Sequence, residues 1–499
     1  MAVKTLRKPE RSSLGGTLFG FFAKAVAVFI ALALPVLGVW ISSSLAAYSN
    51  LRTGLVVLAG ALLFPMLPLG WELYAAARLR ASGTSSKRFL TFVDRLTLRT
   101  LALNALFLGI LLASWPERSF LALSTRGDWM LDGRSTPRAE SARQILLRSA
   151  GKLEWLYVAS HKNPFDDEKA ARVQNKPTVE ERKVADTKTV DTPKTPEAPE
   201  AKKPEGWPYP SSLHPAVASM PASAEASIES VAHYLKEEEP DPMLRVKALH
   251  DYVVDRIAYD YPAYENYKRG IPIGAESADA EPVFRNKRGV CAGYARLLVA
   301  LGAFTGDEIA YVVGNVRGDG FGVSGSPHAW NAAKIGGAWH LMDATWDRPG
   351  STDRPDEKVY RTDYLFAPPD VFGMDHLPNE AEWQLRLPSM EKSEFFRQPM
   401  LSPSFRAKGL VLVSPDRAQV AAGGSIDIEL KNPRKISLLP DVGLIGVGSR
   451  QPCEAVVDTA SRIHCTFPSD GVYIVRFFSA TEKAYTYGYD GQLEVNSHR

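Results

Sequence analysis

The fold is decided by two stretches: residues 289–298, which read Gly-Val-Cys-Ala-Gly-Tyr-Ala-Arg-Leu-Leu, and residues 328–347, which read His-Ala-Trp-Asn-Ala-Ala-Lys-Ile-Gly-Gly-Ala-Trp-His-Leu-Met-Asp-Ala-Thr-Trp-Asp. The apolar residues of the first stretch have helical spacing, which predicts a helix that begins close to Cys291. The positive end of the helix dipole favours the thiolate, which is the reactive form of a cysteine. Taken alone, however, Cys291 is more often an inert buried residue than a nucleophile.

The second stretch predicts a β-hairpin. Gly336-Gly337 separates two strand-like runs, and a glycine pair at that place is a strong signal for a two-residue turn. In the register that such a turn sets, Ile335 faces Ala338. This register fixes which side chains of the hairpin share a face.

The hairpin selects one histidine as the partner of Asp343. His328 and Asp343 become diagonal neighbours on one face, about 7–8 Å apart at the backbone and within side-chain reach. His340 stands an odd number of positions from Asp343, so its side chain points to the opposite face. The sequence therefore predicts a Cys291–His328–Asp343 triad and disfavours His340.

Acyl-transfer chemistry gives each of these residues a role. Cys291 would attack a carbonyl carbon and form a thioester, and His328 would hold the thiolate and then protonate the leaving amine. Asp343 would fix the tautomer of His328 by accepting a hydrogen bond. The backbone N–H of Cys291 is a natural oxyanion donor at a helix start, but the sequence does not name a second donor. The glycine-rich loop at 317–327 is expected to border the cleft.

Together these motifs resemble the transglutaminase-like superfamily, and more narrowly its kyphoscoliosis-peptidase-like branch. The resemblance covers roughly residues 225 to 400 and includes similar segments at 257–260, 363–366 and 383–385. It implies an α+β papain-like core, a triad on Cys291, His328 and Asp343, no obligatory cofactor, and protease or amide-bond acyltransferase activity. The calcium sites of animal transglutaminases do not map onto this chain.

Composition excludes several other classes. The net charge is only +3 in 499 residues, which argues against a nucleic-acid binder. Three cysteines are too few for a disulfide-built scaffold or a four-ligand zinc site. The histidines are scattered and the acidic residues lack calcium-loop spacing, so the sequence predicts no metal site; that no cofactor is required is what the resemblance implies.

The N-terminal part, 1–115, is predicted to be a transmembrane region of three helices. Its apolar runs cover about 25–42, 54–77 and 100–115, and the third run is marginal for a bilayer crossing. The loop at 78–99 is strongly basic, and the positive-inside rule places it in the cytoplasm. Three crossings would then place everything after Pro116 outside. Two alternatives remain: the first run is a cleaved signal peptide, or the third run does not span and the catalytic core is cytoplasmic.

Cys453 and Cys465 lie 12 residues apart in a strand-like segment, where they could bridge a hairpin or neighbouring strands. Such a disulfide requires an oxidising compartment. It would leave Cys291 as the single free thiol of the chain.

The soluble part divides into four predicted segments. Segment 116–161 is a juxtamembrane helical segment that lies either on the membrane surface or against the next domain. Segment 162–215 is a disordered linker, because 166–206 contains no Leu, Ile, Met, Phe, Trp or Tyr. Segment 216–405 is the catalytic domain, and 406–499 is a small β-sandwich, as its short alternating strands indicate.

The sequence thus predicts a multi-pass membrane protein whose thiol enzyme domain lies outside the cytoplasm, in the periplasm. This domain would cleave or transfer amide acyl groups of a protein or peptide substrate. The competing hypothesis is a non-catalytic envelope protein that uses the same fold for binding or as a scaffold. The sequence does not predict the substrate or the oligomeric state.

Overall fold

The protein is described from a computed structural model. It divides into two compact units, Met1–Ser160 and His161–Arg499, and each is described by itself. The residues that the structure describes are 14–81, 90–134, 136–160, 163–166, 176–187, 207–318, 322–348, 360–480 and 487–498.

Three helices of the first unit, Leu14–Tyr48, Thr53–Ala81 and Phe92–Ser114, are long and apolar enough to cross a membrane. The third has 23 residues, more than its apolar run suggests, because Thr91 and Asp94 form a capping box that begins the helix earlier. About 20 residues suffice to cross the hydrocarbon layer, so the third helix is no longer marginal by length.

Ion pairs join the helices of the first unit, and its described residues after the third helix are mostly helical. Glu72 is only 2% exposed and forms ion pairs with Arg95 and Arg99, which link the second helix to the third. The predicted juxtamembrane segment contains helices Pro116–Arg126, Pro137–Gly151 and Glu154–Ser160 and a 3₁₀ turn at Trp129–Leu131. Ala150 packs in the apolar cluster of this unit with Ile41, Leu108, Leu111 and Leu123.

In the first part of the second unit, as far as it is described, several helices and two long strands pack against helix Cys291–Thr305. Helices Ile228–Glu238 and Pro242–Arg256 are separated at Pro240. Asp241 caps the second of them by accepting hydrogen bonds from the N–H groups of Met243 and Leu244. The helices are Val179–Thr187, Pro215–Ala218, Ile228–Glu238, Pro242–Arg256, Tyr261–Lys268, Ala275–Ala278, Ala280–Asn286, Cys291–Thr305, Pro369–Phe372, Lys392–Arg397 and Pro403–Ala407, with 3₁₀ turns at Ala222–Glu225 and Ala381–Gln384.

A four-stranded sheet packs beside helix Cys291–Thr305. Its strands, in spatial order, are β5 (Ala338–Met342), β4 (Ser326–Ile335), β3 (Glu308–Val316) and β6 (His376–Pro378). Its β4–β5 hairpin has the predicted register, with Ile335 paired to Ala338. Gly336 and Gly337 both adopt positive φ, at 58° and 79°, as the two-residue turn requires. The hairpin prediction is therefore confirmed. The strands are β1 Ala258–Tyr259, β2 Arg288–Gly289, β3 Glu308–Val316, β4 Ser326–Ile335, β5 Ala338–Met342 and β6 His376–Pro378.

The C-terminal part is made of strands, in one sheet ordered β14-β15-β10-β8 and another ordered β13-β12-β16-β17-β7, which β9 and β11 join. Both sheets contribute to one apolar cluster that includes Ile428, Phe467 and Val475. The second sheet includes Met400–Leu401, which lies within the stretch predicted to be catalytic. The strands are β7 Met400–Leu401, β8 Val411–Ser414, β9 Gln419–Ala422, β10 Ser425–Lys431, β11 Ser437–Leu438, β12 Asp441–Leu444, β13 Arg450–Pro452, β14 Glu454–Val456, β15 Ala460–Thr466, β16 Gly471–Ala480 and β17 Gly488–Ser497.

Cys453 and Cys465 form a disulfide in this C-terminal part. Cys465 lies on β15 and Cys453 directly precedes β14, which pairs with β15. Because β14 and β15 are consecutive antiparallel strands, the bond bridges a hairpin, which is one of the two arrangements expected from the sequence.

The predicted linker is partly ordered, which differs from the expectation of disorder. Helix Val179–Thr187 begins after Thr178, which forms reciprocal hydrogen bonds with Glu181, and it buries Ala185. Lys334 of the hairpin forms a 2.7 Å ion pair with Glu181. This helix packs on the domain through small and charged side chains. A prediction of disorder from the lack of large apolar residues does not take such contacts into account. Predicted linker residues 167–175 and 188–206 lie outside the described residues.

Candidate active site

Cys291 is the first residue of its helix, as the sequence predicts. It is 1% exposed and packs in a small apolar cluster with Ala292, Phe165 and Tyr311. All three cysteines of the chain lie in the described part, and with the other two bridged Cys291 is the free one. The placement combines a helix N-terminus with a free thiol.

The two glycines beside Cys291 allow its helix to pack very close to the preceding segment. A Cβ on Gly293 would lie 2.6 Å from the carbonyl oxygen of Ser277, and one on Gly289 would lie 2.8 Å from a methyl group of Val283. On the other side, the Asn331 side chain donates to the carbonyl oxygens of Ala295 and Ala310, each at 3.0 Å. Helix and sheet are thereby fixed relative to each other.

His328 lies on β4 and meets both other predicted residues. Its Nε2 is 2.7 Å from Oδ2 of Asp343, and the Cys291 side chain is near enough to influence the charge of its ring. Since Asp343 occupies Nε2, the remaining nitrogen, Nδ1, is the one available to the thiol. Burial disfavours the imidazolium, but the negative charges of Asp343 and Cys291 outweigh it and raise the pKa of His328 to about 9.

Asp343 is 1% exposed and follows the last residue of β5. Its Oδ1 accepts hydrogen bonds from the backbone N–H groups of Thr345 at 2.8 Å and Trp346 at 3.3 Å. Burial favours the neutral acid, but His328 and His376 outweigh it and hold the pKa of Asp343 well below its usual value. The carboxylate is therefore charged and fixed in orientation.

The structure thus brings Cys291, His328 and Asp343 together. His340, which the register argument disfavours, contacts Phe366 instead, with ring centroids 5.6 Å apart. The predicted geometry of the three residues agrees with the structure, and their catalytic role is proposed below.

Sequence reasoning missed a second histidine at this site. His376 is 1% exposed, and its Nε2 is 3.1 Å from Oδ2 of Asp343, the same oxygen that meets His328. Its Nδ1 is 2.7 Å from Oδ1 of Asp375. His376 reaches the site because β6 pairs with β3, and its only local signal is the Asp375-His376 pair at the start of a three-residue strand.

The spacing of His328, Asp343 and His376 also suits a metal ion, since one ligand atom from each lies within 4.8 Å of the others. The sequence predicts no metal here. Both histidines are hydrogen-bonded to the carboxylate oxygen, which accounts for the closeness of the three groups. We assign no metal to them.

A cavity of about 490 Å³ opens beside His328. One wall consists of Tyr259, Tyr261 and Tyr264. Arg317, Gly318, Ser326 and Pro327 also line the cavity, so both ends of the glycine-rich loop border it, as expected. The C-terminal part contributes Tyr489, so both parts of the second unit shape this cavity.

The family model of the transglutaminase-like superfamily matches residues 229–344. Kyphoscoliosis peptidase of Mus musculus is 28% identical over 216 residues, 41% of this chain and 32% of that protein. Kyphoscoliosis peptidase of Homo sapiens is 26% identical over 206 residues, 40% of this chain and 30% of that protein. The chain thus spans about a third of the length of these curated relatives.

Two solved structures show weaker likeness. A TGase is 19% identical with a TM-score of 0.22, over 26% of this chain and 34% of that chain. A proposed cysteine protease from Cytophaga hutchinsonii is 18% identical with a TM-score of 0.18, over 27% of this chain and 41% of that chain. The resemblance seen in the motifs is confirmed by the family match: residues 229–344 of this chain are a transglutaminase-like domain, similar in sequence to kyphoscoliosis peptidase.

Proposed function

We propose that this protein is a membrane-anchored thiol enzyme that cleaves or transfers amide acyl groups of proteins or peptides. The observation that carries the proposal is the buried chain from the Cys291 thiol through His328 to Asp343, with His328 Nε2 2.7 Å from the carboxylate. It lies at a helix N-terminus and beside a cavity large enough for a peptide segment. The match to the transglutaminase-like superfamily supports a cysteine-dependent reaction.

The reaction proceeds in two steps. The Cys291 thiolate attacks the carbonyl carbon of the amide, and the His328 imidazolium gives its proton to the leaving amine as the C–N bond breaks. The product of this step is a thioester on Cys291. Water or a second amine then attacks the thioester and gives its proton to His328, and the C–S bond breaks to release the Cys291 thiolate, which restores the starting ion pair. Asp343 holds His328 in the orientation that both steps require.

The tetrahedral intermediate needs two donors for its oxyanion. The N–H of Cys291, the first residue of the helix, has no acceptor within that helix. The second donor that we propose is the Tyr259 hydroxyl. Tyr259 lines the cavity, and its strand pairs it with Gly289, two residues before Cys291. Burial and then the nearby Cys291 raise the pKa of Tyr259 well above its usual value, so the hydroxyl keeps its proton and can donate.

Tyr259→Phe is therefore expected to lower kcat by about 10²–10³-fold with little change in KM, as loss of one oxyanion donor does elsewhere. The phenyl ring keeps the edge contact with Tyr261, whose centroid lies 5.0 Å away, so the fold is retained. Steady-state kinetics measure the effect. Tyr261→Phe, which changes the same cavity wall, is the control, and equal losses in both variants would argue against the assignment.

Hydrolysis and transfer share the thioester and differ in what attacks it. Mass spectrometry of candidate peptides, incubated with the full-length protein and a primary amine, separates them: amine incorporation shows transfer, and new termini show hydrolysis. Cys291→Ala is the matched control. If neither product forms and Cys291 alkylates no faster than a free thiol, the enzyme proposal fails and the scaffold hypothesis is favoured.

We further propose that the three apolar helices span the membrane and that the second unit lies outside the cytoplasm, in the periplasm. Arg78, Arg80, Arg95 and Arg99 flank the loop between the second and third helices, which the positive-inside rule places in the cytoplasm. The Cys453–Cys465 disulfide supports an oxidising compartment for the other side.

A reporter that works only outside the cytoplasm is therefore expected to be active when it is fused after residue 116. A reporter that works only in the cytoplasm is expected to be inactive at the same position. In the same cells, acid trapping followed by alkylation is expected to find Cys453 and Cys465 oxidised and Cys291 reduced. A reporter that is active in the cytoplasm, together with three reduced cysteines, would overturn this topology.

A further inference from the structure

Asp343 is shared by two histidines. Its Oδ2 lies 2.7 Å from Nε2 of His328 and 3.1 Å from Nε2 of His376. Beyond His376, Nδ1 lies 2.7 Å from Oδ1 of Asp375, and the other oxygen of Asp375 accepts a 2.7 Å hydrogen bond from the Tyr364 hydroxyl. The triad is thus the first part of a longer buried chain.

The hydrogen bonds of His376 favour its imidazolium form. Both ring nitrogens face carboxylate oxygens, and an ionised carboxylate only accepts hydrogen bonds. Burial raises the pKa of Asp375, and the hydrogen bonds from His376 and from the Tyr364 hydroxyl oppose that rise. An imidazole ring carries two N–H groups only as the imidazolium. Burial opposes this charge, but Asp375 and Asp343 outweigh it and raise the pKa of His376.

In the resting state that the proposed mechanism requires, charges alternate along the chain. The order is Cys291 thiolate, His328 imidazolium, Asp343 carboxylate, His376 imidazolium and Asp375 carboxylate. Arg317, which is fully buried and interacts electrostatically with Asp375, follows. Its guanidinium donates to the carbonyl oxygens of Phe396 and Gln398, each at 3.0 Å. The six charges balance, which reduces the cost of burying them.

The rest of the surroundings of His376 is mainly aromatic. The hydroxyl of Tyr364 faces Asp375, and the ring of His328 lies 5.7 Å away, centroid to centroid. The packed side chains are Phe372 at 4.3 Å, Trp346 at 4.7 Å, Trp330 at 5.1 Å and Tyr364 at 5.2 Å, centroid to centroid. These rings bury His376, which is 1% exposed.

We propose that His376 is a positioning residue of this active site, which as an imidazolium between Asp343 and Asp375 limits how tightly Asp343 holds the proton of His328. The inference rests on the proposed function. A carboxylate beside a single imidazolium strongly stabilises the proton on that ring. When the carboxylate lies beside two imidazolium rings, each ring is stabilised less, because the two positive charges repel each other. His376 thus keeps His328 able to release its proton to the leaving amine.

The sign of the effect follows directly. If the positive charge of His376 is removed, the His328 imidazolium is more stable and persists to higher pH. In His376→Gln we expect the pH at which His328 loses its proton to rise by about one unit, from a starting value of about 9. For Asp375→Asn we expect a smaller upward shift, because His376 then loses its proton but keeps its shape and its hydrogen bond to Asp343.

The alkylation of Cys291 measures this proton without any turnover. Iodoacetate is anionic and is attracted by the His328 imidazolium, whereas iodoacetamide is neutral. The ratio of the two rate constants in the full-length protein therefore falls as His328 loses its proton. The readout is specific, because the other two cysteines are bridged. Phe372→Leu disturbs the packing around His376 without changing a charge, so it serves as the control and is expected to leave the pH of the fall unchanged.

An upward shift in both His376→Gln and Asp375→Asn, absent in Phe372→Leu, supports the proposal. No shift in either charge variant overturns it, and so does an equal shift in Phe372→Leu, which would indicate packing alone. If His376→Gln does not fold, Asp375→Asn decides by the same criterion. If the wild type shows the fall in the ratio but no turnover of any amide, the proposed function fails while this inference stands.

Discussion

Cys291→Ala is expected to abolish amide cleavage and transfer, with kcat/KM reduced on the order of 10⁴-fold or more, as is typical when a covalent nucleophile is removed. The reason is that the thioester cannot form without the sulfur, and no other thiol is free among the three cysteines. The fold is expected to persist, because Cys291 packs as a small residue against neighbours such as Ala292. Product formation per enzyme, measured by mass spectrometry, checks the loss.

The control for Cys291→Ala is the double substitution of Cys453 and Cys465 by serine. That variant loses the disulfide but keeps the nucleophile, so it should lose stability and retain activity at a temperature where it is folded. An enzyme that has lost its nucleophile keeps only the catalysis that oxyanion stabilisation and binding supply, which is far less than about one hundredth of the wild-type kcat/KM. If Cys291→Ala retained more than about one hundredth of that value, Cys291 would not be the nucleophile.

The parts of the site that could be predicted are those that the chain makes locally. The Gly336-Gly337 turn sets the hairpin register, and alternation along two adjacent strands then places His328 beside Asp343. The start of the helix at Cys291 also follows from a short pattern. In each case the residues that interact lie on one element or on two consecutive ones.

His376 could not be found in this way. It lies 33 residues beyond Asp343 and reaches it through the pairing of β6 with β3, where His376 is aligned with Val316. A three-residue strand has no recognisable periodicity, and the partner strand of β6 is distant in sequence. Tyr259 was missed for a related reason, since its approach to Cys291 depends on a two-residue parallel pairing.

Composition misled in two other places. Polar residues precede the apolar run of the third helix, so its composition makes it marginal, but Asp94 forms the cap and Arg95 and Arg99 pair with Glu72. Helix Val179–Thr187 lacks large apolar residues, so its composition predicts a disordered linker. In both cases paired charges allow order that a count of apolar residues does not predict.

Asp343→Asn is the second change with a very large expected effect. Asn can accept the hydrogen bonds of Thr345 and Trp346 with its oxygen, which directs its amide group toward His328. The amide donates, so Nε2 of His328 must accept, and the proton then sits on the nitrogen that faces the thiol. His328 is then in the wrong tautomer to accept the thiol proton, and we expect kcat to fall by about 10²–10⁴-fold.

The same substitution predicts a pH shift that distinguishes it from a change at His376. Without the Asp343 charge, the pKa of His328 should fall from about 9 toward its ordinary value, so the iodoacetate-to-iodoacetamide ratio should fall at lower pH than in the wild type. His376→Gln is expected to move the same curve upward. Two substitutions on either side of one hydrogen bond therefore act in opposite directions, which a general loosening of the site cannot produce. Equal downward shifts in both variants would show that His376 supports the fold around Asp343 and does not compete for its charge.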